Sequence, residues 1–169
     1  MMRPLVFVIA LFLLAPAAFA KPPHVNGVAW IGGLALHFDA NRWDVNGAGN
    51  AYVVYCKTFD CSGTTIAVTV KDAAVTACTP ATLAFDRQPA DDATLPVTPG
   101  RVDTFSHAGL SFLITEGDFG CRNLAGGPVR ACTTYGGKTY VFDAPGRSCR
   151  TRPDAGERVD AILQGLKPR

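Results

Sequence analysis

Six cysteines placed behind an export leader constrain this chain more than any other feature. Met1-Met2-Arg3 supplies a positive start, Leu5 to Leu14 is an unbroken apolar run, and Pro16 interrupts it. Ala18-Phe19-Ala20 then offers the small-x-small pattern that a signal peptidase requires. Cys56, Cys61, Cys78, Cys121, Cys132 and Cys149 all lie beyond that point. Cleavage near Ala20 would place them in an oxidising compartment, periplasmic or secreted, where an even number of cysteines reads as disulfides. The expected organisation is a signal peptide over 1–20, a polar lead-in over 21–27 and one domain over 28–169. The leader's apolar run is too short for a comfortable membrane span and no later run approaches it. No transmembrane segment is therefore expected in the mature chain.

Local spacing suggests how the cysteines pair. Cys121 and Cys132 are equidistant from the Gly126–Gly127 bond, so a hairpin turning there would set them face to face. Cys56 and Cys61 bracket a short turn, which leaves Cys78 with Cys149 by elimination. A zinc site would want two tight pairs. The Cys56–Cys61 spacing has no matching second pair, so no metal is expected.

Between the cysteines the pattern is mostly that of strands. Leu34, Leu36 and Phe38 alternate with Ala35 and His37 inside an extended run from Val28 to Phe38. Arg42–Val45 and Ala51–Tyr55 read as a hairpin joined by Asn46–Asn50, residues that tolerate positive φ. Ile66, Val68 and Val70 mark a strand over Thr64–Lys71. Thr79-Pro80 is a helix start, predicting a short central helix to about Gln88. Pro89–Gly100 is a loop. Strands resume at Gly109–Glu116, followed by a meander of Phe119–Asn123, Val129–Tyr135 and Lys138–Asp143, with Gly136-Gly137 as a hairpin turn. Arg147–Arg152 reads as a basic loop. Asp154 and Glu157 stand at capping-box spacing, and Val159, Ile162, Leu163 and Leu166 form one apolar helical stripe. This order predicts an α+β domain: an antiparallel sheet covered by a C-terminal helix and one short central helix, stapled by disulfides.

The Phe38…Arg42-Trp43 opening, the Ile66–Lys71 strand, the Gly137-Lys138-Thr139-Tyr140-Val141-Phe142 strand and the closing Val159…Leu166 helix together resemble the PsbP-like family. That family comprises extrinsic photosystem proteins and their bacterial relatives. The resemblance spans most of the mature chain through short motifs, and six cysteines are not part of the family's pattern. It implies an α/β/α sandwich with an accessory or binding role and no shared catalytic motif.

Signals for chemistry are sparse. Asp103, Ser106 and His107 contain the residue types of a hydrolytic triad. However, adjacent residues on a strand point to opposite faces, and no G-x-S-x-G elbow is present. The plainer expectation is a polar turn before the Leu110 strand. His24 falls in the lead-in, and His37 on the polar side of a strand. Asp91, Asp92, Glu116 and Asp118 do not form a calcium loop, and Glu116–Gly120 reads as a turn or bulge. The glycines form neither a P-loop nor a dinucleotide fingerprint, so no cofactor is expected. A net charge of +2 argues against electrostatically driven nucleic-acid binding. The basic end, Arg147, Arg150, Arg152, Arg158, Lys167 and Arg169, reads first as ordinary helix-end charge.

These readings favour an exported, non-enzymatic binding or accessory protein whose partner is a protein or small ligand, with an inhibitor module as one version. Candidate interaction surfaces are Phe59 in the Cys56–Cys61 loop, Asp91 and Asp92 in the Pro89–Gly100 loop, and the basic residues Arg147, Arg150 and Arg152. The alternatives are a small exported hydrolase or metal-dependent enzyme using His107, and a structural envelope component.

Overall fold

Residues 26–58, 65–85, 98–118, 127–144 and 155–169 are described by a computed structural model. Alternating apolar side chains build strands nearly everywhere they were expected. The run predicted as one extended segment is a hairpin: β1 (Asn26–Ile31) and β2 (Leu34–Asp39) fold back at Gly32-Gly33, with Gly32 at φ +58°. Asn26 and Gly27 already belong to β1 rather than to a lead-in. Next come β3 (Trp43–Ala48), β4 (Ala51–Cys56) and β5 (Thr65–Asp72). The central helix is reduced to a 3-10 turn, Pro80–Leu83, opened by Thr79.

The second half is a longer meander than the sequence suggested. β6 (Thr98–His107) and β7 (Leu110–Asp118) form a hairpin, followed by β8 (Val129–Tyr135) and β9 (Lys138–Ala144). The Asp103–His107 stretch, expected as a polar turn, is strand. β6 ends the strand order among the described residues, and its Asp103, Thr104 and Ser106 are exposed, so its polar side chains do not announce a strand. Gly136 and Gly137 both take positive φ and make the predicted turn. The chain closes with α1 (Ala155–Gln164) and a short β10 (Leu166–Pro168). Lys167 thus sits on a strand, and Arg169 stacks its guanidinium over the Trp30 ring at 5.2 Å. Neither is helix-end charge.

The strands form two antiparallel sheets rather than one. The smaller runs β1-β2-β10 and the larger runs β3-β4-β5-β9-β8-β7-β6. Sheet dominates, and the helical part is small. Trp43, Val54, Ile66, Val68, Tyr140, Phe142, Ala131 and Phe112 line one face of the large sheet and are buried. Helix α1 packs against β2 and β8, so its Val159, Ile162 and Leu163 join this core, and Leu166 follows from β10. The opposite face is partly covered by the 3-10 turn, which lies against β7 and β8.

A disulfide joins Cys78 to Cys132, and this corrects two pairings. The β7–β8 register sets Leu113, not Cys121, opposite Cys132. The hairpin therefore does not turn symmetrically about Gly126–Gly127, and Cys132 is left facing the segment before the 3-10 turn. With Cys78 so engaged, the Cys78–Cys149 pairing also falls. Cys56 is disulfide-bonded as well. Its expected partner Cys61 lies outside the described residues, as do Cys121 and Cys149. So do the leader, Gln88, Phe119–Asn123 and the Asp154 cap.

Candidate groove beside a sheet edge

Helix α1 leaves a groove on each flank. One, about 570 Å³, runs between α1 and the end of the large sheet. Its sheet wall is made by Gly100 to Phe105 of β6 and Ile114 to Glu116 of β7, and its helix wall by Asp160 and Gln164. The floor is apolar. Phe105 is half-buried and stacks on the buried Phe112 with ring centroids 4.7 Å apart, and Ile114 continues the same face. The rim is charged. Arg101 pairs with Asp103 at 3.1 Å on the exposed side. Glu116 and Asp160 add two more carboxylates.

A β-bulge shapes one end. Pro99 pairs with Gly117 and Val102 with Thr115, so Gly100 and Arg101 together oppose Glu116. Glycine is required there by proximity. A Cβ on Gly100 would lie 2.3 Å from the Glu116 carbonyl oxygen. The Thr115 hydroxyl donates to the Gly100 carbonyl at 3.3 Å and ties the bulge down. Beyond the bulge, Val102 to His107 pair regularly with β7 on one side. Among the described residues no strand pairs with β6 on its other side.

The second groove, about 560 Å³, lies on the other flank of α1, lined by His37, Phe38, Asp39, Arg42, Trp43 and Lys167 among others. Its charge balance is the reverse of the first, with cations outnumbering the single carboxylate. The Phe38 ring fills much of its apolar end, standing 2.6 Å from where a Cβ on Gly27 would be.

The triad residues are not brought together. Ser106 is exposed, while His107 is half-buried on the face that carries Asp103 and Phe105. Four residues of strand separate Asp103 from His107, roughly 13 Å. His107 Nε2 is enclosed and has no hydrogen-bond partner among the described residues. A general base needs a partner within hydrogen-bond reach, so this arrangement does not assemble one. Among the described residues no three His, Cys, Asp or Glu side chains cluster as metal ligands. Of the expected surface residues, Phe59, Asp91, Asp92, Arg147, Arg150 and Arg152 all lie outside the described residues. The sequence reading weighed Asp103 and Glu116 for other roles and missed Phe105, Ile114, Asp160 and Gln164 as parts of one groove. The available signal was Pro99-Gly100, a pair that inside a strand marks an edge and a bulge.

No protein-family model and no curated protein matches the chain. Among solved structures, the chain is similar to the solution structure of cyanobacterial PsbP (CyanoP) from Synechocystis sp. PCC 6803. The identity is 14% and the TM-score 0.49, over 93% of this chain and 99% of that one. Among the described residues no helix is long and apolar enough to cross a membrane.

Proposed function

We propose that this chain is exported, cleaved near Ala20, and acts outside the cytoplasm as a disulfide-bonded, non-enzymatic interaction module that holds a polypeptide partner. One observation carries this reading: the groove between α1 and the edge of β6, with an apolar floor, a charged rim and a strand side that no described residue pairs. Apolar pockets with a few polar groups at the mouth are the usual form of a binding site, and a strand with an open side suits a polypeptide more than a compact ligand.

The test places a photo-crosslinking amino acid at Gln164 in the groove and, separately, at Val53 on the opposite sheet face, in protein expressed in its native envelope. A discrete adduct from Gln164 and none from Val53 is the expected result, together with a mature mass that begins near Lys21. Adducts of equal yield from both positions, or from neither, would remove the groove from the reading.

A further inference from the structure

The small sheet offers a second surface, and none of its residues lines the groove against β6 and β7. We propose that the outer face of this sheet seats the chain on an anionic phospholipid bilayer, through the Trp30 indole and the cations of Lys167 and Arg169.

Strand register brings these groups together. Trp30 stands directly opposite Ala35, and Ala35 directly opposite Lys167, so the three form one row across the sheet. Val28 and His37 form the next row on the same face, because side chains two residues apart along a strand point the same way. The other face carries Ile31, Leu34, Leu36 and Leu166, all buried in the core. The outer face is open instead. Val28 is 51% and Trp30 54% exposed, and His37 and Lys167 are exposed as well. Among the described residues only four large apolar side chains are exposed, and two of them are neighbours here. Clustering of that kind marks a contact surface, whereas single exposed apolar residues do not.

Charge and shape choose the occupant. An indole has an apolar body and a polar N–H, and it settles at the boundary between water and hydrocarbon. The groups around it are cationic. The Arg169 guanidinium lies 5.2 Å from the Trp30 ring, and the Arg169 carbonyl accepts from the Tyr135 hydroxyl at 3.5 Å, which holds that residue against the large sheet. The one carboxylate on the three strands, Asp39, stands at the far end of β2, opposite Asn26, and accepts from the Asn41 amide at 3.0 Å. Lysine and arginine beside an interfacial apolar patch are drawn to anionic headgroups. The exposed side chains stand in one layer above the strands, which suits a planar partner. A sugar ring would stack on an open indole face, and the guanidinium already occupies one.

The measurement sediments the purified, oxidised mature chain with vesicles of phosphatidylglycerol and phosphatidylethanolamine, and with vesicles of phosphatidylcholine alone. Expected is partition into the anionic vesicles about tenfold above that into phosphatidylcholine, weakening as salt is raised. Tryptophan emission should shift to shorter wavelength on binding, and Trp30→Phe should abolish the shift, because Trp43 is already buried. Lys167→Ala should lower partition about fivefold. Trp30→Ala should lower it too, and Val53→Ser, on the large sheet, should leave it unchanged. Melting curves confirm that each variant is folded. Equal partition into both vesicle types overturns the charge selection. Unchanged partition of Trp30→Ala and Lys167→Ala, or no partition into anionic vesicles at low salt, overturns the proposal. So does a photo-crosslinking amino acid at Val28 that captures protein and no lipid in the native envelope, since the face would then belong to a protein partner or a second copy.

Discussion

Ala108 takes φ +50° and Gly109 φ +80° in the two-residue turn between His107 and Leu110. Both central positions of such a turn need the left-handed region. Glycine adopts it freely, but an alanine Cβ there costs about 1–2 kcal/mol. Ala108→Gly is therefore expected to stabilise the fold by up to about 1 kcal/mol after the extra chain entropy of glycine is subtracted, read as a higher thermal midpoint. A lower midpoint would mean that the alanine has a role this geometry does not supply.

The Tyr55–Asp44 bond makes a pH prediction at the same scale. The Tyr55 hydroxyl donates to Asp44 Oδ2 at 2.9 Å, and the Val45 amide donates to Oδ1 at 2.9 Å. The tyrosine bond, then the amide, hold the Asp44 carboxyl below its ordinary 3.8. A depressed folded-state value contributes stability that is present above the ordinary value and is lost as pH falls through the folded one. Tyr55 moves the opposite way: the carboxylate keeps its hydroxyl protonated above the ordinary 10.0. That contribution is present below the ordinary value and is lost as pH rises through the folded one. In melts between about pH 5 and about pH 3, Asp44→Asn should lose less thermal stability than the parent chain. An identical loss would show that this bond does not contribute to acid sensitivity.

At the scale of elements, the 3-10 turn shows how a weak local signal is held by distant groups. Four residues cannot form an independent helix. Leu83 is buried, the Arg130 guanidinium donates to the Ala84 carbonyl, and it also lies 5.2 Å from the Phe85 ring. Arg130 in turn pairs with Asp143 at 2.7 Å. The Cys78–Cys132 bond adds a covalent tie across a separation of 54 residues. Loop-closure entropy for that length corresponds to about 4 kcal/mol. The Cys78→Ser/Cys132→Ala variant should lower the free energy of unfolding by about that much in denaturant titrations, in the absence of reductant. A loss below about 1 kcal/mol would show that Arg130 and Leu83 hold the segment without the disulfide. The sequence marked Thr79-Pro80 as a helix start and was right about the turn. Its length was decided by where the packing against β7 and β8 stops.

In the whole molecule, the two sheets meet through contacts that no local pattern announces. The Tyr140 hydroxyl accepts from the Gly33 amide at 2.9 Å, and the Tyr52 hydroxyl accepts from the Gly32 amide at 3.3 Å, so two residues of the large sheet hold the turn of the small one. Helix α1 ends at Gly165, whose amide bonds to the Ile162 carbonyl and whose carbonyl accepts from the His37 amide at 2.9 Å. A Cβ on Gly165 would lie 2.2 Å from the His37 carbonyl oxygen. The chain thus leaves the helix directly into β10 and pairs with β2. The Val159…Leu166 stripe was legible as amphipathic helix, yet its last member packs from a strand.

The sequence by itself determined the strand-rich character, the closing helix, the Gly136-Gly137 turn and the buried faces of β5 and β7. Those follow from periods of two and 3.6 residues, which are local properties of the chain. The division into two sheets, the edge position of β6 and the Cys78–Cys132 bond were decided only in three dimensions. Sheet partners and disulfide partners are chosen by register and by which faces must be buried together. A polar edge strand carries no alternation to reveal itself, and a symmetric cysteine spacing says nothing when the hairpin turns elsewhere. The groove belongs to that second class, because it exists only where a helix from the end of the chain comes to lie beside a strand begun more than fifty residues earlier.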